Sequence, residues 1–276
     1  MKNLYANILL FLCGLSTISP ILSAQQVNKK VETKLAWGLS ARQGKRPTME
    51  DAHLICNPSN LKANNNNLLV GIFDGHGGKQ VADFAAKRLP FYFLSYFKGS
   101  SALIKFGQDF PESGFSKKIK SEAKANKSDS AKNIISVEKI FKNSFAHIEN
   151  NLKTESYAKD VGSTAVVAYI ETNKFGYRIL TTAWLGDSRA VLVDKYNKVV
   201  WASKDHKPND AQEKARIEKN GGQVVFHGVP RIKLPEVNTM LAMSRSFGDT
   251  QFKQPNSAAG KLIDGGAVSG EPEIFN

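Results

Sequence analysis

Val70-Gly71-Ile72-Phe73-Asp74-Gly75-His76-Gly77-Gly78 is an apolar run that stops on an aspartate, a glycine, a histidine and two further glycines. Apolar and small residues ending in a carboxylate predict a buried strand that delivers the carboxylate to its exposed end, where glycines let backbone approach a ligand closely. The Asp-Gly-His-Gly-Gly segment equally suits a sharp polar turn, so a second element has to agree before it is read as a binding site.

Several elements agree. Upstream, Arg46-Pro47-Thr48-Met49-Glu50-Asp51 sets a guanidinium and two adjacent carboxylates just before a predicted strand, Ala52 to Ile55. Downstream follow Gly162-Ser163-Thr164-Ala165, Leu185-Gly186-Asp187-Ser188-Arg189-Ala190, Asp205-His206-Lys207-Pro208, Leu241 to Asp249, and Val268-Ser269-Gly270-Glu271-Pro272-Glu273. In this order and at these separations the set resembles the metal-dependent serine/threonine protein phosphatases of the type 2C class, from about Trp37 to the last residue. The resemblance implies an α+β fold: a four-layer α-β-β-α sandwich of two antiparallel sheets flanked by helices.

Hydrolysis of a phosphate ester asks a weak nucleophile to attack an anion. Two bridged divalent cations lower the pKa of a shared water and neutralise the phosphoryl oxygens. Oxygen ligands suit Mg²⁺ or Mn²⁺, and the chain lacks the His and Cys clusters a zinc site would need. On the resemblance, Asp74 would bridge the two cations, Glu50 and the Gly75 carbonyl would complete one of them, and Asp51 would act through water. Arg46, whose planar fork matches two phosphate oxygens, would clamp the substrate, and His76 would protonate the departing serine or threonine oxygen. Asp160 is either a ligand for an additional cation or a surface aspartate. Gly186 to Arg189 reads as a tight hairpin between strands, and Asp205 to Pro208 as the entry to a flap.

The family's two later metal-aspartate motifs have no counterpart before Asn276, and Asp264-Gly265 precedes the Glu271-Pro272-Glu273 element rather than following it. The resemblance therefore implies a sandwich incomplete at its C-terminus and a binuclear site half built. Two functions follow from it: a protein serine/threonine phosphatase, impaired by the missing aspartates, or an inactive phosphatase-like module that binds phosphorylated partners.

The rest of the 276 residues fits an ordinary globular chain, with 41% hydrophobic and 23% charged residues. A net charge of +13 is spread thinly, without the basic runs or aromatic interleaving of a nucleic-acid groove. The expected partner is a phosphorylated protein, not a nucleic acid. Residues 1–24 carry Lys2 as their one charge, an apolar run from Ile8 to Leu15, and Ser23-Ala24 before Gln25. That layout predicts a signal peptide and export to a periplasm or the exterior, or a membrane anchor if it stays uncleaved. After cleavage only Cys56 remains, so no intramolecular disulfide can form. Residues 25–36 read as a linker, 37–276 as the phosphatase domain, and 98–133 as a flexible insertion without sustained periodicity. Helical spacing recurs at Val81 to Leu94, with Pro90 as an expected kink, and at Val137 to Leu152. Trp37 to Ala41, Ala165 to Ile170, Arg178 to Leu185, Ala190 to Val193 and Lys198 to Ala202 read as strands, and Ala211 to Asn220 as a helix closed by Gly221-Gly222.

Overall fold

The computed structural model describes residues 35–56, 67–98, 135–173, 175, 177–253 and 266–276. The signal-peptide-like segment, nearly all of the linker, the insertion and Asp264-Gly265 lie outside them.

Five antiparallel strands form the main sheet: β1 (Ala52–Cys56), β2 (Leu68–Phe73), β5 (Ala165–Thr172), β6 (Arg178–Leu185) and β12 (Glu273–Phe275), in the order β1-β2-β5-β6-β12. Successive side chains in a strand point to opposite faces, and the register decides which residues share one. Pairing of Gly71 with Leu54 and Val167, and of Val167 with Ala183, lines up Leu54, Leu69, Phe73, Val167, Tyr169, Ala183 and Leu185 on one face.

Helices α1 (Gln80–Lys98) and α2 (Val137–Leu152) cover that face. Their residues Val81, Ala85, Leu89 and Phe93, and Ile140, Phe141, Phe145, Ile148 and Leu152, are almost or wholly sealed from water. Such packing, at about 25 cal/mol per Å² of apolar surface buried, is the main source of cohesion where no disulfide occurs among the described residues. Ser136 starts α2 by accepting a hydrogen bond from the Lys139 amide. Helix α1 continues through Pro90, whose ring removes the donor that the Ala86 carbonyl would otherwise receive.

On the opposite face, Ile72, Val166 and Trp184 lie under a two-stranded ribbon of β7 (Val191–Val193) and β8 (Val199–Ala202). Trp201 of β8 meets Trp184 edge-on at 5.6 Å and stacks on Phe275 at 4.2 Å. A smaller core gathers Ile217 of α3 (Ala211–Lys219), Ile232 of the ribbon β9 (Gln223–His227) and β10 (Val229–Lys233), and Leu234, Phe252 and Val268. The antiparallel α+β architecture is the one expected from the sequence. No helix among the described residues is long and apolar enough to cross a membrane.

Two local expectations are corrected. Trp37 to Ala41 forms no strand, and Trp37 is largely exposed. The Gly186–Arg189 connection is not a hairpin, because β6 pairs with β5 and β12 while β7 pairs with β8. The glycine lets the chain leave one sheet for another: Gly186 has a φ of 89°, a left-handed conformation that costs other residues.

Candidate active site

Three two-residue strands make the platform of the site: β3 (Gly75–His76), β4 (Gly162–Ser163) and β11 (Phe247–Gly248), in the order β11-β4-β3. β3 follows β2 and β4 precedes β5, so both continue from strands of the main sheet, and β11 pairs with β4 beyond them. Ala52 pairs with Phe73, so extending the β1–β2 register brings Asp51 beside Asp74 and Glu50 beside Gly75. The approach is close enough that a Cβ on Gly75 would strike the Glu50 carbonyl, which is why that position requires glycine. Antiparallel pairing thus joins carboxylates carried by two separate stretches of sequence.

Asp74 is half-buried, and its backbone is fixed on both sides. The Thr164 amide donates to the Asp74 carbonyl at 2.9 Å, and the Asp74 amide donates to Thr164 Oγ1 at 3.2 Å. Thr164 Oγ1 in turn meets the Ser188 hydroxyl. Burial, then the neighbouring negative charges of Asp51 and Asp187, push the Asp74 carboxyl up to about 6, against the opposing pull of His76 and Arg46. Burial also raises Asp51, which shares a hydrogen bond with the Asp74 carboxyl and is eased by Arg46. Arg46 is exposed, with its backbone tied to Gln43 in both directions.

His76 lies across β4 from the turn that follows β11. Its Nε2 is 2.8 and 3.0 Å from the carboxylate oxygens of Asp249, which is sealed from water. His76, Gly162 and Gly248 are successive partners across the three strands, and the missing side chain of Gly162 leaves the gap. A Cβ on Gly162 would collide with both the His76 ring and the Asp249 carboxylate. Burial by itself would lower the imidazole. The Asp249 charge and hydrogen bond, with Asp74 and Asp187 beyond, outweigh it and hold His76 above its ordinary value. The balance favours the protonated ring.

Of the residues the sequence nominates, Arg46, Asp51, Asp74 and His76 converge, and Glu50 joins them through Asp51, whose carboxyl it pushes up. Thr48 donates to the Glu50 carboxylate at 3.3 Å. Asp160 stands apart. Its carbonyl backs onto Gly77, but the residue is exposed and lines a groove of about 750 Å³ with Lys153, Lys159 and Thr239.

Two aspartates join the site that the sequence does not nominate, Asp187 and Asp249. The signal they share is Leu-Gly-Asp at 185–187 and Phe-Gly-Asp at 247–249, apolar residue, glycine and carboxylate at the end of a buried segment, like Phe73 and Asp74. Asp187 carries the Lys207 ammonium, and its loop is pinned where the Gly186 amide donates to His206 Nδ1 at 3.1 Å and the His206 amide donates to the Gly186 carbonyl at 2.9 Å. His206 is buried, which lowers its pKa, and its Nε2 lies 3.0 Å from Glu273.

The donor chemistry fits a hard divalent cation: carboxylates and a backbone carbonyl around a half-buried point whose carboxyls are strained by one another's charge. Among the described residues, no three His, Cys, Asp or Glu side chains are already arranged around one ion position. Mg²⁺ commonly binds through one or two carboxylates with several retained waters, so this is no obstacle.

Residues 35–276 match the family described as Protein phosphatase 2C. "Probable protein phosphatase 2C 55" of Oryza sativa subsp. japonica is 34% identical over 239 residues, covering 84% of this chain and 51% of that protein. "Protein phosphatase 1L" of Bos taurus is 31% identical over 217 residues, covering 78% of this chain and 49% of that protein. Among solved structures, "Structure of a C.elegans sex determining protein" superposes with a TM-score of 0.58 at 23% identity, covering 84% of this chain and 45% of that one. "Crystal structure of a phosphatase from a pathogenic strain Toxoplasma gondii" gives 0.57 at 22%, covering 84% and 68%. These two speak for the fold alone. The chain belongs to the protein phosphatase 2C family, whose members in general use Mg²⁺ or Mn²⁺. It spans about half the length of the curated relatives it matches.

Proposed function

We propose that this chain carries the catalytic centre of a protein phosphatase acting on phosphoserine and phosphothreonine. One observation carries the reading: at the end of β2 an arginine, two further aspartates and a histidine all act on a single point, the Asp74 carboxyl. Arg46 is exposed and free to turn its fork of donors to two phosphoryl oxygens. His76, whose protonated form Asp249 favours, gives its proton to the serine or threonine oxygen as the phosphorus–oxygen bond breaks, and the imidazolium becomes neutral. Asp74, Glu50 and the Gly75 carbonyl would hold Mg²⁺ or Mn²⁺, with Asp51 acting through water. The bound cations would supply charge neutralisation and an activated water. The buried partners Thr164 and Asp249 keep these groups in place without a change of shape during the reaction.

The test is release of phosphate from a phosphothreonine peptide with and without Mn²⁺, using Asp74→Asn as control. Mn²⁺-dependent release by the parent and none by the variant is expected. Equal background in both removes the reading. If the parent binds the phosphopeptide through Arg46 without cleaving it, the binding-module alternative stands. Export rests on the pattern of residues 1–24, and N-terminal sequencing of protein recovered outside the cytoplasm tests it. A start at Gln25 supports cleavage.

A further inference from the structure

We propose that Glu149, its charge balanced by Lys253, is a positioning residue for His76, acting through the Ser246–Asp249 turn. This rests on the phosphatase reading, in which His76 is the acid.

The turn is a demanding piece of backbone. Gly248 and Asp249 have φ values of 71° and 48°, two consecutive residues in the left-handed region. Asparate tolerates that region better than most residues, but only where the surroundings enforce it. The enforcement comes from α2, about a hundred residues earlier in the chain. Glu149 Oε1 accepts from the Gly248 amide at 3.1 Å, and Oε2 accepts from the Lys253 ammonium at 2.8 Å. The same ammonium donates to the Ser246 carbonyl at 2.6 Å. Both ends of the turn are thereby held by one ion pair, and Phe247 between them is sealed in the core. The Ser246 hydroxyl donates to the Asp249 carboxylate, the same group that holds His76. An unbroken set of contacts leads from α2 to the imidazole.

A purely structural pair would behave otherwise. Buried ion pairs are often replaced by apolar residues of similar size at little cost in stability, so stability alone does not call for this one. The pair offers something an apolar substitute cannot, an acceptor for the Gly248 amide.

The two double variants E149L/K253M and E149Q/K253M separate these roles. Both discard the charges, but only the glutamine keeps an acceptor for Gly248. The readouts are the downfield proton resonance of the His76 Nε2–H group, which reports its hydrogen bond to Asp249, and kcat on a phosphothreonine peptide. In the leucine variant the resonance is expected to vanish and kcat to fall at least tenfold, with KM within about twofold. In the glutamine variant the resonance should remain and kcat stay within about threefold of the parent. If both variants keep the resonance, or both lose it while unfolding at the parental midpoint, the proposal is overturned. Should the leucine variant fail to fold, Glu149→Asp, one methylene short of Gly248, replaces it and is read in the same way. A parent without activity removes the phosphatase reading, and the resonance still decides the coupling.

Discussion

His76 Nε2 lies 2.8 Å from an Asp249 carboxylate oxygen, a contact between residues 173 positions apart that passes over the bare backbone of Gly162. A methyl group at Gly162 cannot be accommodated without separating the two. Gly162→Ala is therefore expected to lower kcat by roughly 10²-fold, at the lower end of what general acid catalysis contributes. The three atoms nearest such a methyl all belong to Asp249 and His76. Steady-state kinetics with the phosphothreonine peptide checks the effect, and kcat within threefold of the parent would contradict it.

Asp74 costs the protein stability when no cation is bound. Its folded-state pKa is raised from 3.8 to about 6, so the folded state binds the proton more tightly than the unfolded chain. Stability is accordingly lost as pH rises through this window, and the penalty is complete above it, on the order of 2–3 kcal/mol. Asp74→Asn should raise the thermal midpoint of the metal-free protein at pH 7.5 or so and change little near pH 4. The same variant should lose the further rise that millimolar Mn²⁺ gives the parent. Scanning calorimetry at the two pH values, with and without Mn²⁺, reads both effects.

Arg46 is exposed and serves no core, so Arg46→Ala is expected to shift stability by less than about 0.5 kcal/mol. Loss of its paired donors should nevertheless lower kcat/KM on the phosphopeptide by on the order of 10²-fold, since hydrogen bonds to charged groups are worth roughly 1.5–3 kcal/mol each. Arg46→Lys should recover part of it, because an ammonium keeps the charge without the planar fork. A parental kcat/KM in the alanine variant would contradict the assignment.

Glu213 makes the packing of α3 sensitive to acid. Burial would raise its pKa, but hydrogen bonds from Arg245 at 2.6 and 3.0 Å and from Ser244 at 2.6 Å, with the Arg216 charge, hold it down at about 2. A carboxyl depressed from 4.5 to about 2 gives stability that is fully present above pH 4.5 and lost as pH falls toward 2. The contribution is on the order of 3 kcal/mol. Urea unfolding at pH 6 and pH 3 should show this loss in the parent, and Glu213→Gln should flatten it. An unchanged pH dependence in the variant would refute the assignment.

The sequence by itself determined the class of fold and half of the site. Period-two and helical spacings are local, and β2, β5, β6, α1, α2 and α3 fall where those spacings put them. Asp74 was legible because a carboxylate there ends an apolar run, and Arg46, Glu50 and Asp51 were nominated by the family resemblance of the polar stretch just before β1. Strand pairing was not legible, because nothing within β7 says whether it pairs with β6 or β8. For the same reason Asp187 looks like part of a hairpin in sequence, and becomes a neighbour of Asp74 only because the chain changes sheets at Gly186. Asp249 was hidden more deeply: its role depends on three two-residue strands whose combined length is too short to carry any periodicity. Only the tertiary structure placed its carboxylate against His76, since hydrogen bonds and charge act through space, and distances of 3 Å across 173 residues are set by packing rather than by sequence.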